Sequence, residues 1–293
     1  MAKSPCSLLI TDLDNTLWDW VEIWSSSFRA LLAETVRISG LSAEVLEAEI
    51  KVVHQKHGTS EYAFVLEELP SLHALHPGAN LRVIYQQALD ARRAARNAAC
   101  VLYPGVRETL DRARATGAVV VGYTESMAFY TSDRLRRTGL DNVIDVLYSS
   151  PDHDLPSGMT PTQLRRHPAE HYEHRLTVHR HTPRGAGKPN PAILLSIIEE
   201  MGGHPKSSAY VGDALLKDIV MAQQARVPDV WAKYGESRSK EGYEQLKRVT
   251  HWSPSAVKTE QGVTATTVGP TYTVESFAEL VDHFEFGGPA SIR

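Results

Sequence analysis

The chain has 293 residues, enough for a compact core with an inserted or appended piece, and its 42% hydrophobic and 23% charged content with a mean hydropathy of -0.28 describe an ordinary soluble globular protein. A net charge of -4 and a pI near 6.4 give no basic footprint, which excludes nucleic acid as an expected partner. No run approaches the roughly 20 apolar residues that span a bilayer, so no membrane partner is expected.

The N-terminus has only the short apolar stretch Leu8 to Ile10 behind Lys3, too little for a signal peptide. With Cys6 and Cys100 as the two cysteines, and no metal or disulfide spacing between them, a cytoplasmic location is expected.

In chain order, the apolar run Leu8-Leu9-Ile10-Thr11 reads as a strand that ends in Asp12-Leu13-Asp14-Asn15-Thr16. Strand side chains alternate with period two, so Asp12 and Asp14 leave the strand on one side. Two carboxylates that close repel, and a hard cation such as Mg2+ relieves the repulsion. The working assignment is Asp12 as nucleophile and Asp14 as its acid/base partner.

From about residue 20 to 98 the apolar spacing is helical. Val21, Trp24, Phe28, Leu31 and Leu32 form one stripe, and Ser42 caps a second helix carrying Leu46, Ile50 and Val53. Residues 18–102 are therefore expected to form an inserted helical bundle. Trp18 and Trp20 at its start are assigned to core packing, and the loop His57-Gly58-Thr59-Ser60-Glu61 is a candidate for reaching a substrate.

After Pro104-Gly105 an alternating pattern begins. A helix from Val106 to Ala115, a buried-type strand Ala118 to Tyr123, a helix from Met127 to Thr138 and a strand Val143 to Tyr148 follow one another. Residues 150–187 then form a Pro- and His-rich insertion, expected as a solvated loop or as a flap whose Arg165, Arg166, Arg175, Arg180 and Arg184 touch substrate. His167 and His171 within it could share a helix face and bind a metal, but no third ligand completes that site. The helix Pro191 to Met201, the strand Ser208 to Val211, a helix near Ile219 to Ala225 and a strand near Val230 resume the rhythm. Helices are expected at 240–249 and 274–284.

Alternating strands and helices predict an α/β fold, a Rossmann-like parallel sheet with helices on both faces. The expected division is a core of 1–17 and 103–293 around a helical insert of 18–102. Ligands of such sheets bind at the carboxyl ends of the strands, where the chain carries Asp12/Asp14/Thr16, Thr124, Lys188 and Asp213/Asp218.

Those four strand ends, in that order, resemble the motifs of the haloacid dehalogenase superfamily in its phosphatase-like branch. Asp12-Leu13-Asp14-Asn15-Thr16 matches the Asp-x-Asp-x-Thr motif, and Thr124 the Ser/Thr that ends the next strand. Gly187-Lys188-Pro189 matches the lysine motif, and Gly212-Asp213 with Asp218 the closing acidic motif. The match covers residues 1 to about 233.

The resemblance implies a Mg2+-dependent phosphohydrolase of a small phosphorylated metabolite, with 18–102 as a cap over the core. Asp12 attacks phosphorus, and Asp14 protonates the leaving oxygen and later takes a proton from water. Mg2+ is implied at Asp12, the Asp14 backbone carbonyl and Asp213, with Asp218 orienting water or pairing with Lys188. Thr124 and Lys188 hold the transferring oxygens. Asn15, Thr16 and Glu125 complete the expected phosphate-binding set, and Thr16 also supports the Asp14 orientation. A phosphomutase, or a non-catalytic binding protein on this fold, stays open as an alternative. A dehalogenase does without the Asp14 acid and the metal, so Asp14 and Asp213 count against it. Monomer or homodimer is left open.

Overall fold

The computed structural model describes residues 2–155, 159, 160, 165, 167–262 and 264–288. It divides into two compact units. One comprises Met1–Trp18, Leu102–Glu236 and Val263–Arg293, the other Asp19–Val101 and Ser237–Gly262.

The helical unit contains α1 (Trp20–Ser39), α2 (Ala43–His57), α3 (Pro70–Leu75), α4 (Leu81–Ile84) and α5 (Gln86–Ala99). Local signals start and stop the long helices: the Asp19 and Ser42 side chains accept from the amides of Glu22 and Val45, and Gly40 and Gly58 end α1 and α2 in the left-handed region. The loop 57–61 is tied down within this unit, since Trp24 Nε1 donates to the Ser60 carbonyl at 2.9 Å and Trp20 Nε1 to Glu61 at 3.1 Å.

The sheet unit is built on β1 (Ser4–Cys6), β2 (Leu8–Thr11), β3 (Val119–Met127), β4 (Val146–Ser150), β5 (Val178–His181), β6 (Ser208–Gly212), β7 (Asp229–Ala232), β8 (Tyr272–Val274) and β9 (Phe284–Phe286). Seven strands form a parallel sheet in the order β5-β4-β3-β2-β6-β7-β8, and β1 pairs with β9 beside it. This is a Rossmann-like α/β fold. Helices α6 (Val106–Ala115), α7 (Ala128–Arg137), α8 (Pro191–Glu200) and α9 (Val220–Gln224) connect its strands. Leu8, Ile10, Val119, Val121 and Val146 pack on Leu194, Ile197, Ile198 and Met201 of the α8 region. Each such side chain, fully buried, contributes about 1.5–3 kcal/mol.

Strand β2 is central. The chain runs outward from it through β3, β4 and β5, then crosses to β6 on its other side. The carboxyl end of β2 is therefore the topological switch point, where the crevice of such a sheet opens.

Three expectations are corrected. Residues 237–262, assigned to the core, fold with the helical unit as α10 (Tyr243–Val249) and α11 (Pro254–Gly262). His54 Nδ1 lies 2.7 Å from the Val249 carbonyl, and Arg248 pairs with Glu47 at 3.1 Å. The insertion is not all loop, because Val178–His181 is the edge strand β5, parallel to β4. Val178 is 45% exposed and its neighbours are His and Arg, so β5 lacks the apolar signature of a strand. The single helix expected over 274–284 is instead the end of β8, a 3-10 turn, the short α13 (Leu280–His283) and the start of β9; α12 (Ala265–Val268) precedes it. Pairing of β9 with β1 explains the late strand, since the partner lies at the opposite end of the chain. Arg166 falls outside the described residues. Among the described residues no helix is long and apolar enough to cross a membrane.

Candidate active site

The loop after β2 is a tight turn. Thr16 and Leu17 both donate their amides to the Leu13 carbonyl, at 3.1 and 2.7 Å, and Asn15 adopts φ 59°. Asn tolerates that left-handed conformation better than most residues. Gly235 closes against it, since a Cβ there would lie 1.8 Å from the Asn15 carbonyl oxygen. Tyr234 donates its hydroxyl to the Thr16 carbonyl at 2.7 Å. The Thr16 side chain is fully buried, and among the described residues its hydroxyl has no hydrogen-bond partner. Thr16 ties the turn that carries Asp14 through its backbone amide.

Beside the turn, Lys188 Nζ lies 2.6 Å from Asp12 Oδ1 and 2.9 Å from Asp218 Oδ1. The rings of Tyr123 and Tyr210 flank the ammonium at 4.9 and 5.4 Å. Asp218 also accepts from the Tyr210 hydroxyl at 2.9 Å and from the Ala214 amide at 3.0 Å. Gly212 leaves room for it, as a Cβ there would meet Asp218 Cγ at 2.4 Å. Of its two expected roles, pairing with Lys188 is observed.

Carboxylate oxygens of Asp12, Asp213 and Asp218 lie within 4.8 Å of one another. Burial pushes the Asp12 carboxyl up to about 7; Lys188 opposes this, and the charge of Asp218 adds to it. Burial, then Asp218 and Asp12, holds Asp213 well above the usual carboxylate range. Burial works against the charge on Lys188, but Asp12 and Asp218 outweigh it and hold the ammonium well above its usual value. Three carboxyl groups crowd one ammonium, two of them holding their protons more tightly than usual, and a cation that displaced those protons would find hard oxygen donors. That donor set fits a divalent cation such as Mg2+.

The Asp14 carboxylate is outside this cluster. Its Oδ1 accepts from Trp18 Nε1 at 2.6 Å, its Oδ2 accepts from the Ser126 hydroxyl, and Arg134 reaches both oxygens at 3.3 and 3.4 Å. The sequence reading missed all three partners. Ser126 sits two residues beyond Thr124, and Arg134 falls on the face of α7 that buries Ala128, Thr131 and Leu135. The only signal available was that Arg134, unlike Arg136 and Arg137, shares a helix face with Ala128, Thr131 and Leu135. Trp18, assigned to packing, is fully buried and also donates to Asp14.

Thr124 is buried within β3, where the register with β4 shifts between Tyr123 and Met127, and its hydroxyl accepts from the Ser126 amide at 3.1 Å. Glu125, expected in the phosphate-binding set, accepts from the Lys188 amide at 2.8 Å and from Lys217 Nζ at 2.6 Å. Burial pushes its carboxyl up, but Lys217 and Lys188 outweigh this and hold it below its usual value. Through the first of these bonds it braces the Lys188 backbone.

In the His-rich insertion, His174 Nε2 lies 3.0 Å from the Ser132 hydroxyl on α7, and His179 Nε2 lies 2.8 Å from Ser149. Arg180 donates to Glu200 of α8 at 2.5 Å, and Arg184 donates to the Asp152 carbonyl within the insertion itself at 3.0 Å. The His167 and His171 rings are 4.1 Å apart. Among the described residues, Asp12, Asp213 and Asp218 are the one group of three or more such side chains spaced to hold a metal, and no histidine belongs to it.

The family profile described as haloacid dehalogenase-like hydrolase matches residues 6–226, and a second, HAD-hydrolase-like, matches residues 185–280. No curated protein matches the chain. Among solved structures, the chain is similar to the HAD-hydrolase YfnB of Bacillus subtilis, described as bound to magnesium, with 14% identity, a TM-score of 0.50 and coverage of 96% of this chain and 98% of that one. It is similar to a protein described as a β-phosphoglucomutase from Thermotoga maritima, with 16% identity, a TM-score of 0.51 and coverage of 94% and 97%. A 2-haloacid dehalogenase from Pseudomonas syringae pv. Tomato DC3000 aligns with 19% identity, a TM-score of 0.49 and coverage of 94% and 97%. At these identities the likeness is one of fold.

Proposed function

Because the chain belongs to the haloacid dehalogenase-like hydrolases, we propose that it is a phosphoric monoester hydrolase acting on a small phosphorylated metabolite through an aspartyl-phosphate on Asp12. The observation that carries this reading is the separation of the two motif carboxylates. Asp12 faces Lys188 and the acidic cluster, whereas Asp14 is held apart by its own donors.

In the first step an Asp12 oxygen attacks phosphorus, the bond from phosphorus to the leaving oxygen breaks, and Asp14 supplies the proton that oxygen needs. In the second, water attacks the same phosphorus and gives a proton to Asp14, and the Asp12 carboxylate departs with phosphate released. Lys188 and the Thr124 hydroxyl stabilise charge on the transferring oxygens. Asp12, Asp213 and the Asp14 backbone carbonyl would hold Mg2+, which when bound screens the repulsion between nucleophile and phosphoryl group.

A panel of phosphorylated metabolites assayed with and without Mg2+, with Asp12→Asn as control, tests the reading. Release of inorganic phosphate that depends on both the cation and Asp12 is expected. Turnover surviving both cation removal and Asp12→Asn would sink the mechanism. Return of the phosphoryl group to another hydroxyl of the product would instead identify a phosphomutase.

A further inference from the structure

Arg134 lies on α7 with only 1% of its surface exposed. A buried guanidinium has to be matched by an acceptor to be tolerated, and an apolar side chain would fill such a helix face at lower cost. Its Nη1 sits 3.3 and 3.4 Å from the two oxygens of Asp14, and its guanidinium lies 5.9 Å from the Tyr130 ring centre. Each Asp14 oxygen also has a neutral donor of its own, Trp18 Nε1 on Oδ1 and the Ser126 hydroxyl on Oδ2.

One donor per oxygen fixes the twist of the carboxyl group, and a cation spanning both fixes its position. An acid/base group must stand within hydrogen-bond reach of both the leaving oxygen and the attacking water, and small misplacements cost much of its effect. We propose that Arg134, together with Ser126 and Trp18, forms a positioning cradle that holds the Asp14 carboxyl group in line for proton transfer. The cradle touches neither phosphate nor cation; it acts through Asp14. The proposal rests on the reading of Asp14 as the acid/base.

The test is the dependence of kcat/KM on the leaving group, measured on the Mg2+-loaded protein with phosphomonoesters from nitrophenols, which leave without a proton, to simple alcohols, which need one. Asp14→Asn sets the reference for a lost acid, with alkyl esters suppressed at least about tenfold more than nitrophenyl esters. Arg134→Gln is expected to show the same selective loss, and Arg134→Lys, which keeps the cation, to recover part of it. Ser126→Ala removes one donor with little change in volume, and a selective loss of about threefold to tenfold is expected there.

A purely structural role would lower all esters equally. Uniform losses, or no loss, in Arg134→Gln and Ser126→Ala while Asp14→Asn remains selective would overturn the cradle and leave the acid/base reading standing. An unselective Asp14→Asn would overturn the reading and the cradle with it. If Arg134→Gln does not fold, the Ser126→Ala and Arg134→Lys results decide.

Discussion

Lys188 Nζ lies 2.6 Å from Asp12 and 2.9 Å from Asp218, so removing its charge leaves two buried carboxylates facing each other. Breaking one side of a buried pair costs about 3–5 kcal/mol. Losing a donor to the transition state costs a factor on the order of 10²–10³ in kcat. Lys188→Met is expected to show both, a lowered Tm by calorimetry and a collapsed kcat. The Asp12 carboxyl, near 7 in the folded chain against 3.8 for an unperturbed aspartate, gives a signed pH effect. Between those values the folded protein holds a proton that the unfolded chain has released. Its stabilising contribution is complete below the unfolded value and is lost as pH rises through about 7. A cation replaces the proton, so Mg2+ is expected to raise Tm more at about pH 8 than at about pH 5.5. Equal shifts at the two pH values, or a full shift in Asp213→Asn, would contradict the assignment of the cation to this cluster.

At the level of elements, the strands that carry the site were legible because burial on both faces demands continuous apolar runs, as in Leu8–Thr11 and Ser208–Gly212. Edge strands were not, because β5 and β8 are short and partly exposed and their residues need not be apolar. The turn Lys233-Tyr234-Gly235 was invisible for another reason: its role is set by the Asn15 carbonyl, far away in sequence. A methyl group there has no space, and Gly235→Ala is expected to cost about 3 kcal/mol, the upper end of overpacking costs, in chemical denaturation. A cost below about 0.5 kcal/mol would mean that the two backbones do not approach so closely.

The β5 segment gives an acid-limb effect. Burial, then the charges of His181 and His174, lowers His179 to about 4. His174 is itself lowered by burial and by Arg136, with Asp141 opposing. For His179 the folded value lies below the unfolded 6.5, so its contribution is full above that value and is lost as pH falls toward about 4. His179→Gln is expected to remove up to about 3 kcal/mol of that acid-dependent loss. Parallel stability curves for parent and variant between about pH 7.5 and about pH 4.5 would contradict it.

Over the whole chain, contiguous reading failed where the units are discontinuous. Residues 237–262 leave the sheet unit after β7 and fold with helices that precede them by some two hundred positions, and no local pattern announces that crossing. The motif residues come together because they sit at strand ends, and the strand order brings those ends side by side next to β2. Asp12, Lys188, Asp213 and Asp218 were readable as motif residues, whereas the partners of Asp14 depend on packing across α7.

The proposed chemistry turns on covalent attachment of phosphate to Asp12. Acid quenching of the Mg2+-loaded protein during turnover, followed by borohydride reduction and peptide mass spectrometry, reads it directly. Conversion of Asp12 to homoserine is expected during turnover, with none in Asp14 or Asp213. Sustained phosphate release with Asp12 unmodified at every quench time, under conditions that trap acyl phosphates in a control protein, would contradict it.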